Sequence, residues 1–356
     1  MPSARRKTPR VFHMPATTSP APAAAPHVMQ CMEVWGGNRA INTGVTLAGL
    51  DTWVYAKPSK SSSGTGMGSD AASDAGAVPG ESGGGDIHYL SSCMSGRISR
   101  MLVADVAGHG AAVDQAAVAL RDLMRRYVNF LDQSRFVENL NVQFGHDNRS
   151  GSFATALVAT YWVPSSTLVA TNAGHPPPLI RRAATGTWEY LASEGSNSSP
   201  RSSPANLPLG VLEPTTYDQF SVKLDEDDLV LIYTDSLLEA RDRDGRLVGS
   251  QGLLRILGGI DPADPAGFIP LLLEALAVEQ NSEEFADDVT CLLIRRNAVR
   301  PKSGIVYLAR GLRAVASQML GAMRGGSTPV SRPEMSLRTL GAAFKGLGGT
   351  DRRSRP

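Results

Sequence analysis

The sequence predicts a mixed α+β protein with antiparallel strands. Two short apolar stretches, 153–163 and 167–172, are separated by a proline and two serines, a pattern typical of a β-hairpin. From 111 to 130, apolar residues recur at helical spacing, with charged residues on the other face. The hydrophobic content of 42% is sufficient for a packed core.

Apolar patterns that end at glycine, proline or polar residues indicate the other elements. In the first half of the chain they predict strands at 47–57, 87–93, 97–106 and 179–182, and a second helix at 134–144. In the second half they predict strands at 217–224, 228–233 and 288–296, and helices at 250–258 and 265–280. The run from Leu229 to Tyr233 is apolar throughout, which is typical of a strand in the core of a sheet.

Changes in composition predict three regions. Residues 1–44 begin with a stretch rich in Pro, Ala, Ser and Thr and form a poorly ordered extension. The domain spans 45–296, with a flexible Ser/Gly-rich insertion at 58–83. Residues 297–356 form a basic tail, in which 304–324 has the pattern of an amphipathic helix. That helix either binds a partner or membrane surface or packs against the domain itself.

Charge and cysteine content exclude several classes of protein. The net charge is +1, yet residues 12–296 carry about twelve net negative charges, which suits cation binding. The low aromatic content of 6% argues against a stacking surface for nucleic acid. Three widely spaced cysteines predict neither a zinc site nor a disulfide framework, and they suit the cytoplasm. No apolar run is long enough for a transmembrane helix.

Four aspartates occupy comparable positions, each where a predicted strand meets a loop. Asp86 follows three glycines, Asp105 follows an apolar strand and precedes a Gly-His-Gly turn, Asp235 follows the strand at 228–233, and Asp287 precedes the last strand. Carboxylates brought together without a cation would repel one another and protonate. Oxygen ligands without a convergent set of His or Cys favour Mg²⁺ or Mn²⁺ over zinc. Two such ions sharing a carboxylate and a water would generate a hydroxide nucleophile for phosphoester hydrolysis.

Seven motifs in order connect these aspartates to a known family. They are Gly84-Gly85-Asp86, the segment from Asp105 to Gly110, Phe153-Ala154-Thr155, the segment from Ala173 to Pro178, Leu207-Pro208-Leu209-Gly210, Tyr233-Thr234-Asp235-Ser236 with Glu239-Ala240, and Ala286-Asp287-Asp288-Val289-Thr290. Together they resemble the metal-dependent protein serine/threonine phosphatases of the PPM type, specifically the SpoIIE/RsbU-like bacterial branch. The resemblance covers residues 45–296.

The resemblance implies a four-layer αββα sandwich, in which two antiparallel β-sheets are flanked by helices. It also implies a site for two Mn²⁺ or Mg²⁺ ions at one end of the sandwich. Asp105 would bridge the ions, the backbone carbonyl of Val106 would bind one of them, and Asp235 and Asp287 would hold the other. Asp86 would bind a metal or orient a metal-bound water, so that Asp86 and Asp105 are the expected catalytic residues.

Several positions leave alternatives open. The motif favours Asp287 over Asp288 as the ligand. Ser236 stands where the family usually has glycine, and a left-handed backbone there would be mildly disfavoured. His109 is a candidate metal ligand or general acid, although its place between two glycines favours a structural role in the turn. His175, before three prolines, also favours a structural role. The acidic residues 225–228 form either an extra cation site or, as exposure favours, a solvated turn.

The expected function is hydrolysis of phosphoserine or phosphothreonine in a protein substrate, by in-line attack without a phosphoenzyme. In this branch the substrate is often a small phosphoserine protein of a partner-switching pathway, such as an anti-sigma-factor antagonist. The alternative is a protein of the same fold that is catalytically weak or inactive and serves as an interaction module. The sequence does not define the oligomeric state.

Overall fold

The structure, a computed structural model, describes residues 31–59, 83–108, 110–130, 132–147, 151–191, 205–282 and 284–301. In chain order the strands are β1 (Cys31–Gly37), β2 (Ile41–Leu47), β3 (Leu50–Lys57), β4 (Asp86–Cys93), β5 (Ile98–Val106), β6 (Ala154–Trp162), β7 (Thr167–Ala173), β8 (Leu179–Arg181), β9 (Trp188–Tyr190), β10 (Gln219–Lys223), β11 (Leu229–Tyr233) and β12 (Val289–Arg296). The α-helices are α1 (Ala111–Tyr127), α2 (Gln133–Asp147), α3 (Ser236–Glu239), α4 (Gly249–Gly258) and α5 (Pro265–Gln280).

These strands form two six-stranded sheets in which all neighbours are antiparallel. Sheet A has the order β1-β4-β5-β6-β7-β10, and sheet B has the order β2-β3-β12-β11-β8-β9. The predicted hairpin is confirmed, since β6 pairs with β7. Strands β10 and β11 are neighbours in sequence but belong to different sheets, so the segment between them crosses from sheet A to sheet B.

Three apolar layers show how the sheets and helices stack. Alternate residues of β4 and β5, among them Ile87 and Leu102, pack against α1 and α2. The intervening residues, among them Leu90 and Val103, pack against sheet B. The other face of sheet B packs against α4 and α5. Each fully buried side chain of leucine size contributes about 1.5–3 kcal/mol. The predicted four-layer αββα sandwich is therefore confirmed.

The predicted poorly ordered extension at 1–44 is wrong in its last part. Strand β1 pairs with β4 at the edge of sheet A, and β2 pairs with β3 at the edge of sheet B. Both strands lie at sheet edges, and β2 is largely exposed, so it lacks the apolar alternation that marks a half-buried strand. Strand β9 and helix α3 were also missed, because each spans less than the length on which such a pattern depends.

Several predictions concern residues outside those that the structure describes. These are the extension at 1–30, most of the insertion at 58–83, His109, and the tail helix at 304–324. In the described residues, no helix combines the length and the apolar composition needed to cross a membrane.

Candidate metal centre

Asp86 and Asp105 lie directly opposite each other at one end of sheet A. Asp86 is the first residue of β4, and it pairs with Asp105 near the end of β5. Directly paired residues project to the same face of a sheet. Ile87 and Ala104, the neighbours of these aspartates, pack towards the helices. Because side chains alternate along a strand, both carboxylates project towards sheet B.

A threonine of sheet B holds one of these carboxylates. Thr234 Oγ1 donates to Asp86 Oδ2 at 2.9 Å and accepts from the backbone N–H of Thr290 at 3.0 Å. Thr234 lies just beyond the end of β11, and Thr290 lies at the start of β12. Asp86 is only 5% exposed. This hydrogen bond fixes the end of sheet A against the end of sheet B.

Asp287 and Asp288 precede β12 and have different environments. The buried Asp288 accepts at Oδ2 from the backbone N–H of Gly85 at 2.6 Å, and at Oδ1 from that of Ser59 at 2.6 Å. A Cβ added to Gly84 would lie 2.1 Å from Asp288 Oδ2, so only glycine leaves room for this carboxylate. Asp287 is exposed, and its Oδ1 accepts from the Asp288 N–H at 2.8 Å.

The oxygen atoms of Val106 and Asp105 border a common space beside Gly85. A Cβ added to Gly85 would lie 2.9 Å from the carbonyl oxygen of Val106 and 3.5 Å from Asp105 Oδ1. Glycine at this position leaves that space open. It belongs to a small cleft lined by the glycine run at 83–85 and by Asp105, Asp287 and Asp288. The cavity volume of about 20 Å³ accommodates one water-sized species.

The carboxyl groups at this end of the sandwich raise one another's pKa. Burial raises the pKa of Asp105 to about 7, and the charges of Asp235, Asp287 and other nearby carboxylates add to this effect. Burial and the charge of Asp105 raise the pKa of Asp86 well above its usual range. Burial, followed by the charge of Glu239, raises the pKa of Asp235. The folded chain thus concentrates negative charge where solvent cannot fully screen it.

A comparison with protein-family models assigns the chain to a family. The model for stage II sporulation protein E (SpoIIE) matches residues 95–297, which is more than half of the chain. This chain belongs to the SpoIIE family. The match contains Asp105, Val106, Asp235 and Asp287, whereas Asp86 lies before it. No curated protein matches the chain.

Solved structures show the same fold as this SpoIIE-family chain. The RsbU and RsbW domains of Rv1364c from Mycobacterium tuberculosis match with a TM-score of 0.54 and 23% identity, over 80% of this chain and 72% of that one. The PP2C phosphatase domain of SpoIIE from Bacillus subtilis, with a fragment of its regulatory domain, matches with a TM-score of 0.53 and 15% identity, over 72% of this chain and 70% of that one.

The SpoIIE-family chain brings its five predicted site residues to one end of the sandwich. Asp86, Asp105 and Val106 meet at the end of sheet A. Asp235 is the residue before α3, and Asp287 lies two residues before β12, so both belong to the adjoining end of sheet B. The carboxylates of the two sheets interact electrostatically, because the charge of Asp287 raises the pKa of Asp235 and of Asp105.

The donor chemistry of this site fits a hard divalent cation. All candidate ligands are oxygen atoms. Among the described residues, the main groups that shift the pKa of Asp86, Asp105 and Asp235 include no cationic side chain. In the described residues, no three His, Cys, Asp or Glu side chains converge closely enough to hold an ion by themselves. Mg²⁺ commonly retains several waters and takes only one or two carboxylates, so this open arrangement fits such an ion.

Sequence reasoning missed three features of the site. It did not assign Asp288 a structural role, because that role depends on backbone N–H groups from distant parts of the chain. It also missed the hydrogen bond from Thr234 to Asp86, which depends on contact between two sheets. Glu239 appeared only as a motif residue, yet its charge is the largest electrostatic cause of the raised pKa of Asp235.

The remaining candidate positions that the structure describes have structural roles. Ser236 lies in α3 without a left-handed backbone, so the expected strain is absent. His175 is buried, its Nδ1 lies 2.9 Å from Thr155 Oγ1, and burial lowers its pKa to about 3. In the acidic turn at 225–228, the buried Asp228 accepts from Arg182 Nη1 at 2.8 Å. It also accepts from two backbone N–H groups. These hydrogen bonds satisfy the carboxylate of Asp228 without an additional cation.

Proposed function

We propose that the chain is a metal-dependent protein serine/threonine phosphatase that hydrolyses phosphoserine or phosphothreonine. The observation that supports this most directly is the meeting of carboxylates from both sheets, which raise one another's pKa beside an open cleft. Such an arrangement is costly unless a cation neutralises it. The resemblance to PPM-type phosphatases, with membership of the SpoIIE family, gives the reaction class.

In this proposal Asp105 would be the ligand common to two Mn²⁺ or Mg²⁺ ions, and the backbone carbonyl of Val106 would be a further ligand. Asp235 and Asp287 would also be ligands, while Asp86 would be a ligand or orient a water. The exposure of Asp287 supports this choice, because both oxygens of Asp288 already accept backbone hydrogen bonds. When bound, the ions would supply Lewis acidity for activating water and offset charge on the phosphoryl oxygens.

The chain's own residues prepare this site in two ways. Thr234 fixes one oxygen of Asp86, so the carboxylate is oriented before a cation arrives. The raised pKa of Asp105 allows its carboxyl group to hold a proton near neutral pH in the metal-free protein. Cation binding then requires that proton to leave, so we expect metal affinity to increase with pH in this range.

We further propose that the substrate is a small phosphoserine protein of a partner-switching pathway, such as an anti-sigma-factor antagonist. The SpoIIE family membership supports this choice. We place the activity in the cytoplasm, since the two cysteines whose side chains are described, Cys93 and Cys291, are buried and free.

Hydrolysis of p-nitrophenyl phosphate and of a phosphoserine peptide, each titrated with Mn²⁺, tests the proposal. We expect activity that depends on Mn²⁺, disappears with EDTA and is lost in Asp105→Asn. Asp147→Asn, an exposed site at the end of α2, is the matched control and should retain activity. Undiminished activity in Asp105→Asn, or a phosphorylated Ser or Cys trapped during turnover, would refute the mechanism. A folded protein that binds no Mn²⁺ and hydrolyses neither substrate would favour the interaction module.

A further inference from the structure

Asn38, in the connection between β1 and β2, contacts two parts of the candidate site at once. Its side-chain Nδ2 donates to the carbonyl of Gly84 at 2.9 Å and to Asp114 Oδ1 at 2.6 Å. Its own backbone carbonyl accepts from the N–H of Gly84 at 2.9 Å. Asn38 therefore holds both backbone polar groups of Gly84 and joins them to the first turn of α1.

The chemistry of these partners requires an amide donor at this position. An asparagine NH₂ group has two hydrogens, and here two oxygen acceptors, a carbonyl and a carboxylate, take them. An oxygen acceptor in place of Nδ2 would lie beside two other acceptors, and none of the three would supply a proton for a hydrogen bond. Asn38 is only 6% exposed, so water could not readily replace a lost hydrogen bond.

The adjacent glycine provides the space for this interaction. A Cβ added to Gly83 would lie 2.4 Å from Asn38 Nδ2 and 2.4 Å from Asp114 Oδ1. The hydrogen-bonded pair thus occupies the volume that any other residue at 83 would need. The need for glycine at 83 does not depend on the length of the hydrogen bond between Asn38 and Asp114. It shows that these two side chains also pack against the glycine run.

The glycine run connects this pair to the proposed ligands. The N–H of Gly85 holds Asp288, and the space beside Gly85 borders the oxygens of Val106 and Asp105. Helix α1 starts directly after the turn that follows Asp105. A shift of the glycine run relative to α1 would therefore alter both borders of the cleft.

We propose that Asn38 is a positioning residue, which holds the glycine run against α1 so that the cation site is formed before a cation binds. The proposal rests on the proposed function in so far as the cleft is the cation site. Asn38 lies outside the matched family segment and touches none of the proposed ligands. It acts through the backbone of Gly84 and the carboxylate of Asp114.

Two measurements on the full-length protein test this role without using catalysis. The first is amide hydrogen exchange of residues 83–86 in EDTA. The second is Mn²⁺ affinity by titration calorimetry. We expect Asn38→Ala to speed exchange in this segment and to weaken Mn²⁺ binding by about tenfold, as loss of a group supporting metal ligands commonly does. Asn42→Ala, at an exposed position on β2, is the matched control and should resemble wild type.

Variants of the partners separate positioning from general damage to the fold. Asp114→Asn retains an oxygen acceptor and should bind Mn²⁺ within about threefold of wild type. Asp114→Ala removes the hydrogen bond that Asp114 shares with Asn38 but leaves the one from Asn38 to Gly84, so it should weaken Mn²⁺ binding less than Asn38→Ala. The double variant should be no weaker than Asn38→Ala, because Asn38→Ala already removes both hydrogen bonds. A melting temperature lowered in Asn38→Ala, with unchanged exchange in 83–86 and unchanged Mn²⁺ affinity, would overturn the proposal.

The outcomes also distinguish this proposal from the proposed function. A wild-type protein that binds Mn²⁺ without hydrolysing phosphoesters would refute phosphatase activity, while weaker binding by Asn38→Ala would still support the positioning role. Active wild-type protein with equal Mn²⁺ affinity in Asn38→Ala would refute the positioning role alone. A wild-type protein that binds no Mn²⁺ would refute both.

Discussion

Replacing Asp105 with asparagine should stabilise the metal-free protein while abolishing the proposed phosphatase activity. The pKa of this carboxyl group rises from 3.8 to about 7 in the folded state. Since each pKa unit corresponds to about 1.4 kcal/mol, ionised Asp105 costs the fold about 4 kcal/mol. Asparagine has nearly the same shape but no charge, so it removes both the burial cost of the charge and its repulsion by Asp235 and Asp287.

The sign of the pH dependence follows from the direction of the shift. Below pH 3.8 the carboxyl group is protonated in both states and costs nothing. Between pH 3.8 and about 7, the unfolded chain loses its proton and the folded chain retains it, so stability falls as pH rises. Above about 7 the full cost is present. From pH 8 to pH 6 the metal-free wild type should therefore gain about 1.4 kcal/mol from this group alone.

Urea unfolding in EDTA at these two pH values provides the assay. The free energy of unfolding of Asp105→Asn should exceed that of wild type by up to about 4 kcal/mol at pH 8, and the difference should shrink at pH 6. Asp86 and Asp235 titrate in the same direction, so the difference between the two proteins reports the charge of Asp105 together with its repulsion of Asp86. Asp147→Asn controls for the loss of an exposed carboxylate. Equal stability of wild type and Asp105→Asn at pH 8 would refute the reasoning.

The remaining predictions concern three neighbouring residues. Asp287→Asn should weaken Mn²⁺ binding and hydrolysis by about tenfold or more without destabilising the metal-free fold, because Asp287 is exposed. Asp288→Ala should instead cost about 1–3 kcal/mol of stability, since backbone N–H groups lose their acceptor. Equal stability loss in Asp287→Asn and Asp288→Ala would contradict the separate roles of these two aspartates. Thr234→Val should also cost about 1–3 kcal/mol by removing the hydrogen bond to buried Asp86, whereas Thr234→Ser should preserve stability; urea unfolding distinguishes them.

The parts of the fold that could be predicted are those in which burial leaves a local pattern. Strand β5 is buried along nearly all its length, so the sequence alone predicted the strand and the place of Asp105 near its end. Helix α1 has one apolar face against sheet A and was predicted with the correct start at residue 111. In such segments the spacing of the apolar residues along the chain predicts which side chains are buried.

The parts that could not be predicted depend on contacts between distant segments. Strands β1 and β2 have weak patterns, because residues 32–37 and 41–47 are all exposed or only partly buried. The separate roles of Asp287 and Asp288 depend on where the backbone N–H groups of Ser59 and Gly85 lie in the fold. Asn38 is a polar residue in a turn by its sequence context, and only the folded chain shows its two partners.

The site contains two classes of residue with opposite effects on the metal-free fold. Asp105 and Asp235 have raised pKa values, so their charge opposes folding until a cation is present. Thr234, Asn38 and the structural carboxylate of Asp288 contribute hydrogen bonds that hold the same end of the sandwich together. Neutralising a residue of the first class should therefore raise metal-free stability, and truncating one of the second class should lower it. Since both changes should weaken cation binding, the sign of the stability change separates the buried ligands, such as Asp105, from the residues that hold the site in place.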